Sequence, residues 1–110
     1  MLERRRYERV DFFCPVHLTV EPDGPTIPCQ SFDISLGGVG LSMQASLERG
    51  QTVRVCFHLR NGADKTIDET ISGHVAYTKS DEGGVRIGIE FLSTIQESNQ
   101  PALARKLNQM

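Results

Sequence analysis

Apolar and polar residues alternate along most of this 110-residue chain. The clearest case is residues 52–59, where Val53, Val55, Phe57 and Leu59 alternate with polar or small side chains. Five further segments alternate in a similar way: residues 16–20, 27–32, 39–44, 71–77 and 85–91. A period of two residues gives a strand one apolar and one polar face, which is typical of half-buried antiparallel sheets. The pattern therefore predicts six strands and an all-β fold.

Turn-forming residues separate the predicted strands. Residues 22–25 read Pro-Asp-Gly-Pro, residues 60–65 contain an Asn-Gly pair, and residues 81–84 end in two glycines. These sequences favour tight turns and hairpin tips. Six short strands joined in this way favour a closed or nearly closed barrel, because closure removes the exposed edges of an open sheet.

The C-terminal segment, residues 98–109, has the pattern of a short α-helix. Pro101 suits the first turn of such a helix, and basic residues lie near its end. Leu103 and Leu107 are four positions apart, so both are expected to pack on the barrel.

The composition is that of a single soluble domain, with 38% hydrophobic and 24% charged residues. No stretch is apolar over the length of a membrane span, and no apolar segment follows the N-terminal arginines as in a secretory signal. We therefore expect a cytoplasmic protein without membrane insertion. The cysteines Cys14, Cys29 and Cys56 show no CxxC spacing and are interpreted as free packing thiols in a reducing compartment.

The charges are distributed unevenly. Residues 1–9 carry four arginines against two glutamates, a net charge of +2, which leaves 8 basic and 12 acidic residues, a net −4, in the rest of the chain. General nucleic-acid binding draws its affinity from a broad basic face, so no DNA or RNA partner is expected. A basic arm on an acidic body instead favours capture of a compact anion.

Two polar motifs stand out from the strand pattern. The first is Arg5-x-x-x-Arg9 near the N-terminus, and the second is Asp33-x-Ser35-x-x-Gly38 between two apolar runs. Arginine binds phosphate oxygens and guanine edges through two parallel hydrogen bonds. A carboxylate and a hydroxyl beside backbone amides can pair with the remaining polar atoms of a base. Together the motifs predict a pocket for a small anionic nucleotide.

In this order and separation the two motifs resemble the PilZ domain family of bacterial cyclic di-GMP receptors. Gly73-x-Val75 and the sequence Gly-Ile-Glu-Phe at residues 88–91 add to the resemblance. It implies a six-stranded antiparallel β-barrel of PilZ type with a short C-terminal α-helix and a flexible N-terminal arm. The corresponding division of this single domain is an arm at 1–10, a barrel at 11–92 and a helical tail at 93–110.

The resemblance also implies which residues bind the ligand. Arg5 and Arg9 would hold the phosphates and guanines of cyclic di-GMP, while Asp33, Ser35 and Gly38 would contact a guanine edge and a phosphate. Glycine at position 38 would allow close approach where a Cβ would clash.

Two further residues receive a role from the resemblance. A basic residue just before the first motif arginine accompanies binding of an intercalated ligand dimer in this family, so Arg4 implies two ligands per chain. Tyr77 lies where the family often places an aromatic residue near the ligand, where it could stack on guanine. The alternation, however, puts Tyr77 on the same side as Val75, which favours a core position.

We expect the ligand to order the arm and an unidentified effector protein to receive the signal. Family outputs include motility, exopolysaccharide production and biofilm formation. The first alternative is an interaction adaptor of the same fold that works without nucleotide, as some type IV pilus assembly members do. The second is a small single-strand nucleic-acid-binding barrel. The sequence leaves the oligomeric state open.

No catalytic or cofactor site is predicted. Asp68, Glu69 and Glu90 do not make a convincing acid and base pair, and no nucleophilic triad can be drawn. The glycines at 37–40 lack the Lys-Ser/Thr of a phosphate-binding loop.

The three histidines, His17, His58 and His74, all fall on outward faces of the predicted strands. With Cys56 they could in principle hold a metal ion. Their spacing matches no known ligand pattern, so no metal site is predicted.

Overall fold

The strands and the helix follow the predicted order. The computed structural model describes residues 7–60 and 65–108. In this part of the chain the elements are β1 (Val10–Asp11), β2 (Pro15–Val20), β3 (Thr26–Ser35), β4 (Gly38–Met43), β5 (Thr52–Arg60), β6 (Thr66–Asp81), β7 (Gly84–Phe91) and α1 (Pro101–Asn108). Among these residues, no helix has the length and apolar character needed to cross a membrane.

The main strands form a closed antiparallel barrel. Their order around it is β3-β2-β5-β6-β7-β4, and β4 pairs back to β3. The two-residue strand β1 lies on the same edge of β3 as β2, with Val10 opposite Ile34 and Pro15 opposite Gln30. The predicted six-stranded barrel with a C-terminal helix is confirmed.

The apolar face of each main strand fills the barrel interior. The largest fully buried side chains come from strands all around the barrel, and include Leu18, Ile34, Leu41, Phe57 and Ile87. Burial of one such side chain contributes about 1.5–3 kcal/mol. The outer face is left to polar residues, and the candidate site lies on that face.

The helix is fixed to the barrel at its N-terminus. The carboxylate of Glu69 on β6 accepts hydrogen bonds from the backbone N–H groups of Ala102 and Leu103, at 2.7 and 2.8 Å. These amides have no partner inside the helix, so the carboxylate replaces an N-cap. As predicted, Leu103 is buried and Leu107 packs against the core.

Two strands are longer than predicted. β3 continues to Ser35, so Asp33 and Ser35 lie in a strand and only Leu36 and Gly37 connect it to β4. β6 begins at Thr66, whereas the alternation predicted a start near residue 71. The predicted strand was too short because the charged Glu69 lies at an inward position and interrupts the apolar alternation.

A β-bulge reverses the alternation in β6. The register shifts between Val75 and Tyr77, which pair with Ile89 and Gly88. Two residues of β6 thus span one step of β7, and Tyr77 points outward, 39% exposed. The core position favoured for Tyr77 by strict alternation is therefore wrong.

Candidate functional site

The end of the N-terminal arm contacts the second motif. Nη1 of Arg9 lies 3.1 Å from Oδ1 and 3.2 Å from Oδ2 of Asp33. The ring of Tyr7 lies over Gly37, where an added Cβ would come within 2.8 Å of it. Residues 7–10 therefore run across the connection between β3 and β4.

The predicted residues Ser35 and Gly38 support the connection itself. Ser35 is buried, and its hydroxyl accepts a hydrogen bond from the N–H of Gly37 at 3.2 Å. A Cβ on Gly38 would lie 2.5 Å from the carbonyl oxygen of Ile89. The close approach of β4 to β7 therefore requires glycine at position 38.

A row of paired residues on neighbouring strands begins at Asp33. The strand registers place four residues side by side around the barrel: Asp33, Gly40, Gly88 and Tyr77. The two glycines lie in the middle of the row, both are buried, and aromatic rings cover both of them. The ring of Phe32 would meet a Cβ on Gly40 at 2.5 Å, and the ring of Tyr77 occupies the space where a Cβ on Gly88 would lie. We call this row the glycine trough.

A second arginine lies above the trough. The guanidinium carbon of Arg86 is 4.9 Å from the ring centroid of Phe32, a cation–π geometry. The sequence reasoning missed both residues. Phe32 faces outward because the register of β3 shifts between Ser31 and Asp33, and no period-2 pattern signals such a bulge.

The structure describes five of the seven predicted residues: Arg9 contacts Asp33, Ser35 pairs with Gly38 at the connection of β3 and β4, and Tyr77 lies three strands from Asp33 around the barrel. The predicted residues Arg4 and Arg5 lie outside the described residues. The potential metal ligands that the described chain brings together, Cys56, His58 and Asp68, belong to β5 and β6 and are separate from this surface.

The chemistry of the surface suits a purine nucleotide. A guanidinium can donate to O6 and N7 of guanine or to a phosphate, and a carboxylate can accept from the donors on the opposite edge of guanine. The rings of Phe32 and Tyr77 offer flat faces for stacking a base. The missing Cβ atoms of Gly40 and Gly88 let these two rings lie against the backbone.

Comparison with known protein families identifies the family of this chain. A family model described as the PilZ domain matches residues 3–109. None of the curated proteins matches the chain by sequence.

Several solved structures have a similar fold. The Inhibitor of motility (MotI/DgrA) of Bacillus subtilis has a TM-score of 0.72 and 22% identity, over 97% of this chain and 53% of that one. The PilZ domain of YcgR from Escherichia coli, solved with c-di-GMP, has a TM-score of 0.71 and 17% identity, over 97% and 91%. The PilZ domain of CeSA from a cellulose-synthesizing bacterium has a TM-score of 0.62 and 18% identity, over 91% and 93%. This chain spans about half the length of MotI/DgrA.

Proposed function

This chain belongs to the PilZ domain family, and we propose that it is a cytoplasmic receptor for cyclic di-GMP. In this proposal the ligand binds between the arm, through Arg5 and Arg9, and the outer face of the barrel, through Asp33 and the glycine trough. The similarity to the YcgR PilZ domain, whose structure contains c-di-GMP, supports the choice of ligand.

The observation that carries the proposal is the contact between Arg9 and Asp33. The two residues are 24 positions apart and belong to different motifs, yet both carboxylate oxygens lie within 3.2 Å of one guanidinium nitrogen. The ligand needs cations for its two phosphates and both donors and acceptors for its guanines. One surface offers all of these groups.

Binding exchanges the partners of this pair. Asp33 accepts from N1–H and the amino group of one guanine, and Arg9 turns to O6 and N7 of a guanine or to a phosphate. The side chains of Arg9 and Asp33 are each only 21% exposed, so the ligand must offer both groups new partners when their ion pair breaks. The charge-assisted hydrogen bonds to the ligand replace it. Tyr77, beside Gly88, stacks on a base.

The arm relays the signal in this proposal. Tyr7 already packs over Gly37, next to Leu36. The backbone of Leu36 and Gly37 is hydrogen-bonded to Phe91 and Ile95, and Leu36 and Leu92 are exposed apolar side chains on these joined segments. When the ligand orders the arm, the arm changes the exposure of the surface formed by Leu36, Gly37 and Leu92. An effector protein then binds to this surface.

Calorimetric titration with cyclic di-GMP tests the proposal. The wild-type chain is expected to saturate, and Arg5→Ala and Asp33→Ala are expected to weaken binding at least about tenfold. Arg54→Ala is the matched control. Arg54 lies on β5, away from the trough, and its Nη1 is 3.2 Å from Oε1 of Glu21. Equal affinity of the control and Asp33→Ala would contradict the proposed site. Hydrogen exchange of residues 3–10 that does not slow with saturating ligand would contradict the relay.

A second candidate is an adaptor that regulates motility without nucleotide. Two observations favour it: the similarity in fold to the Inhibitor of motility of Bacillus subtilis, and the fact that Arg9 and Asp33 satisfy each other without a ligand. The same titration separates the candidates, since an adaptor of this kind gives no heat with cyclic di-GMP.

A further inference from the structure

A second polar group lies on the outer face of β2, β5 and β6. It consists of His17, Cys56, His58 and Asp68, and we call it the histidine cluster. His17 lies opposite Cys56 in the pairing of β2 with β5, and His58 lies opposite Asp68 in the pairing of β5 with β6. Their strand neighbours point into the core, so all four side chains share the outer face. The glycine trough and the arm motif include none of them.

The two imidazoles of the cluster are in direct contact. Nδ1 of His17 lies 2.6 Å from Nε2 of His58, and the ring planes are nearly perpendicular at 79°. Two nitrogen atoms at this distance must have a hydrogen between them. One ring therefore donates an N–H to the lone pair of the other, and the two nitrogen atoms face each other on the surface.

Asp68 fixes the orientation of His58. Nδ1 of His58 lies 2.8 Å from Oδ1 of Asp68, and since a carboxylate only accepts, Nδ1 carries the hydrogen. The neutral His58 ring then presents the lone pair of Nε2 toward His17, and His17 donates from Nδ1. A carboxylate that orients a histidine in this way is the usual neighbour of a metal-binding imidazole.

Cys56 adds a sulfur donor close to His58. Its Sγ, a ring nitrogen of His58 and an oxygen of Asp68 all lie within 4.8 Å of one another. This half-buried thiol lies close to His58, and His58 contacts His17, so the three side chains together offer the nitrogen and sulfur donors that zinc and related divalent ions prefer.

We infer that His17, Cys56 and His58 bind a divalent transition-metal ion of the zinc class, with Asp68 holding His58 in the ligating tautomer. The donors are Nδ1 of His17, Nε2 of His58 and Sγ of Cys56, and a water molecule takes the fourth position. On binding, the Cys56 thiol releases its proton to solvent, and His17 carries its hydrogen on Nε2 instead of Nδ1.

Metal binding needs the donor side chains to move. Metal–nitrogen bonds of about 2.0–2.1 Å and a metal–sulfur bond of about 2.3 Å place neighbouring donors of a tetrahedron roughly 3.3–3.6 Å apart. The imidazole nitrogens must therefore separate by about 0.7 Å from their present contact, and the thiol must close on them. His17 is exposed and His58 and Cys56 are half-buried, so their side chains have room to turn.

The sequence hides this site because the ligands come from two strands that are far apart in the chain. His17 is about forty residues from Cys56 and His58, and only the pairing of β2 with β5 brings them together. A bound ion would join these two strands on the side of the barrel away from the trough.

Titration of the tag-free 110-residue chain with Co²⁺ tests the inference, followed by competition with Zn²⁺. We expect one ion per chain, with the visible absorption of tetrahedral cobalt and a near-ultraviolet thiolate band. Cys56→Ser should remove the thiolate band, and His17→Ala and His58→Ala should each weaken binding at least about tenfold. Asp68→Asn, which leaves the three donors in place, should weaken it about 10- to 100-fold.

The controls are a histidine and a cysteine outside the cluster. His74 lies on the outer face of β6, 2.9 Å from Glu90, and Cys29 lies on β3. His74→Ala and Cys29→Ser should bind cobalt like the wild type, and circular dichroism should show that every variant is folded. Absence of saturable binding to the wild type would overturn the inference, as would a thiolate band that survives in Cys56→Ser. In that case the cluster is a hydrogen-bonded His–His–Asp chain only.

Discussion

The guanidinium of Arg9 contacts both carboxylate oxygens of Asp33, at 3.1 and 3.2 Å, across 24 positions of sequence. This contact joins the last residues of the arm to the end of β3. It also means that the two groups proposed to bind the ligand neutralise each other in its absence. Their importance should therefore be visible in ligand affinity and not in the stability of the fold.

Asp33→Asn should separate these two properties. Because the amide keeps one acceptor oxygen for Arg9, the free energy of unfolding should fall by only about 1 kcal/mol. The affinity for cyclic di-GMP should fall at least about tenfold, since an amide cannot accept from guanine at both positions. Urea denaturation and calorimetry measure the two effects. Glu21→Gln, which removes the Arg54 ion pair, should match the first effect without the second.

Arg4→Ala should change the stoichiometry of binding. Two stacked ligands bring four phosphates, and the extra arginine is proposed to offset their repulsion. We expect calorimetry to give two ligands per wild-type chain and one per variant chain. A wild-type chain that saturates at one ligand would refute the proposed dimer.

Tyr77 should contribute by stacking. Tyr77→Phe keeps the aromatic face and should retain affinity, whereas Tyr77→Ala should lose about 1–3 kcal/mol of binding free energy. Gly88→Ala tests the same contact from the other side, because its Cβ would occupy the position of the Tyr77 ring. The exposed ring can swing away, so this variant should fold yet bind more weakly. Full affinity in both Tyr77→Ala and Gly88→Ala would exclude stacking.

Glu69→Ala should loosen the C-terminal helix. The variant leaves the N–H groups of Ala102 and Leu103 without their carboxylate partner, and a buried unsatisfied donor costs about 1–3 kcal/mol. Thermal unfolding should show a Tm lower by several degrees, with Glu69→Gln in between because its amide keeps one acceptor oxygen. Glu82→Ala, at the exposed tip between β6 and β7, should leave Tm unchanged.

The Cys29 thiol should make the free energy of unfolding decrease at alkaline pH. Burial raises the pKa of this thiol from its ordinary value of 9.0 to about 11. Between these values the unfolded chain has lost the proton that the folded chain retains, so this contribution to stability is present below pH 9 and falls as pH rises toward 11. Cys29→Ser should therefore lose less stability than the wild type over this window in urea titrations. Equal pH dependence of the two proteins would contradict the shift.

The fold was largely predictable from local information. A period of two residues identified six strands, and turn residues marked their connections, because each strand buries one face and exposes the other. The features that the sequence did not predict have a common cause. Tyr77 and Phe32 lie at β-bulges, and Glu69 is a charged residue at an inward position whose partners are on a helix more than thirty residues away. None of these features has a local signal.

The sequence alone determined the family resemblance, the barrel and the pairing of an arginine motif with an Asp-Ser-Gly motif, because these depend on residue types at fixed short spacings. Only the tertiary structure decided that Arg9 reaches Asp33, that Gly40 and Gly88 lie between Asp33 and Tyr77, and that His17 meets His58. These contacts depend on strand register, which is set by the closure of the whole barrel and not by any one segment.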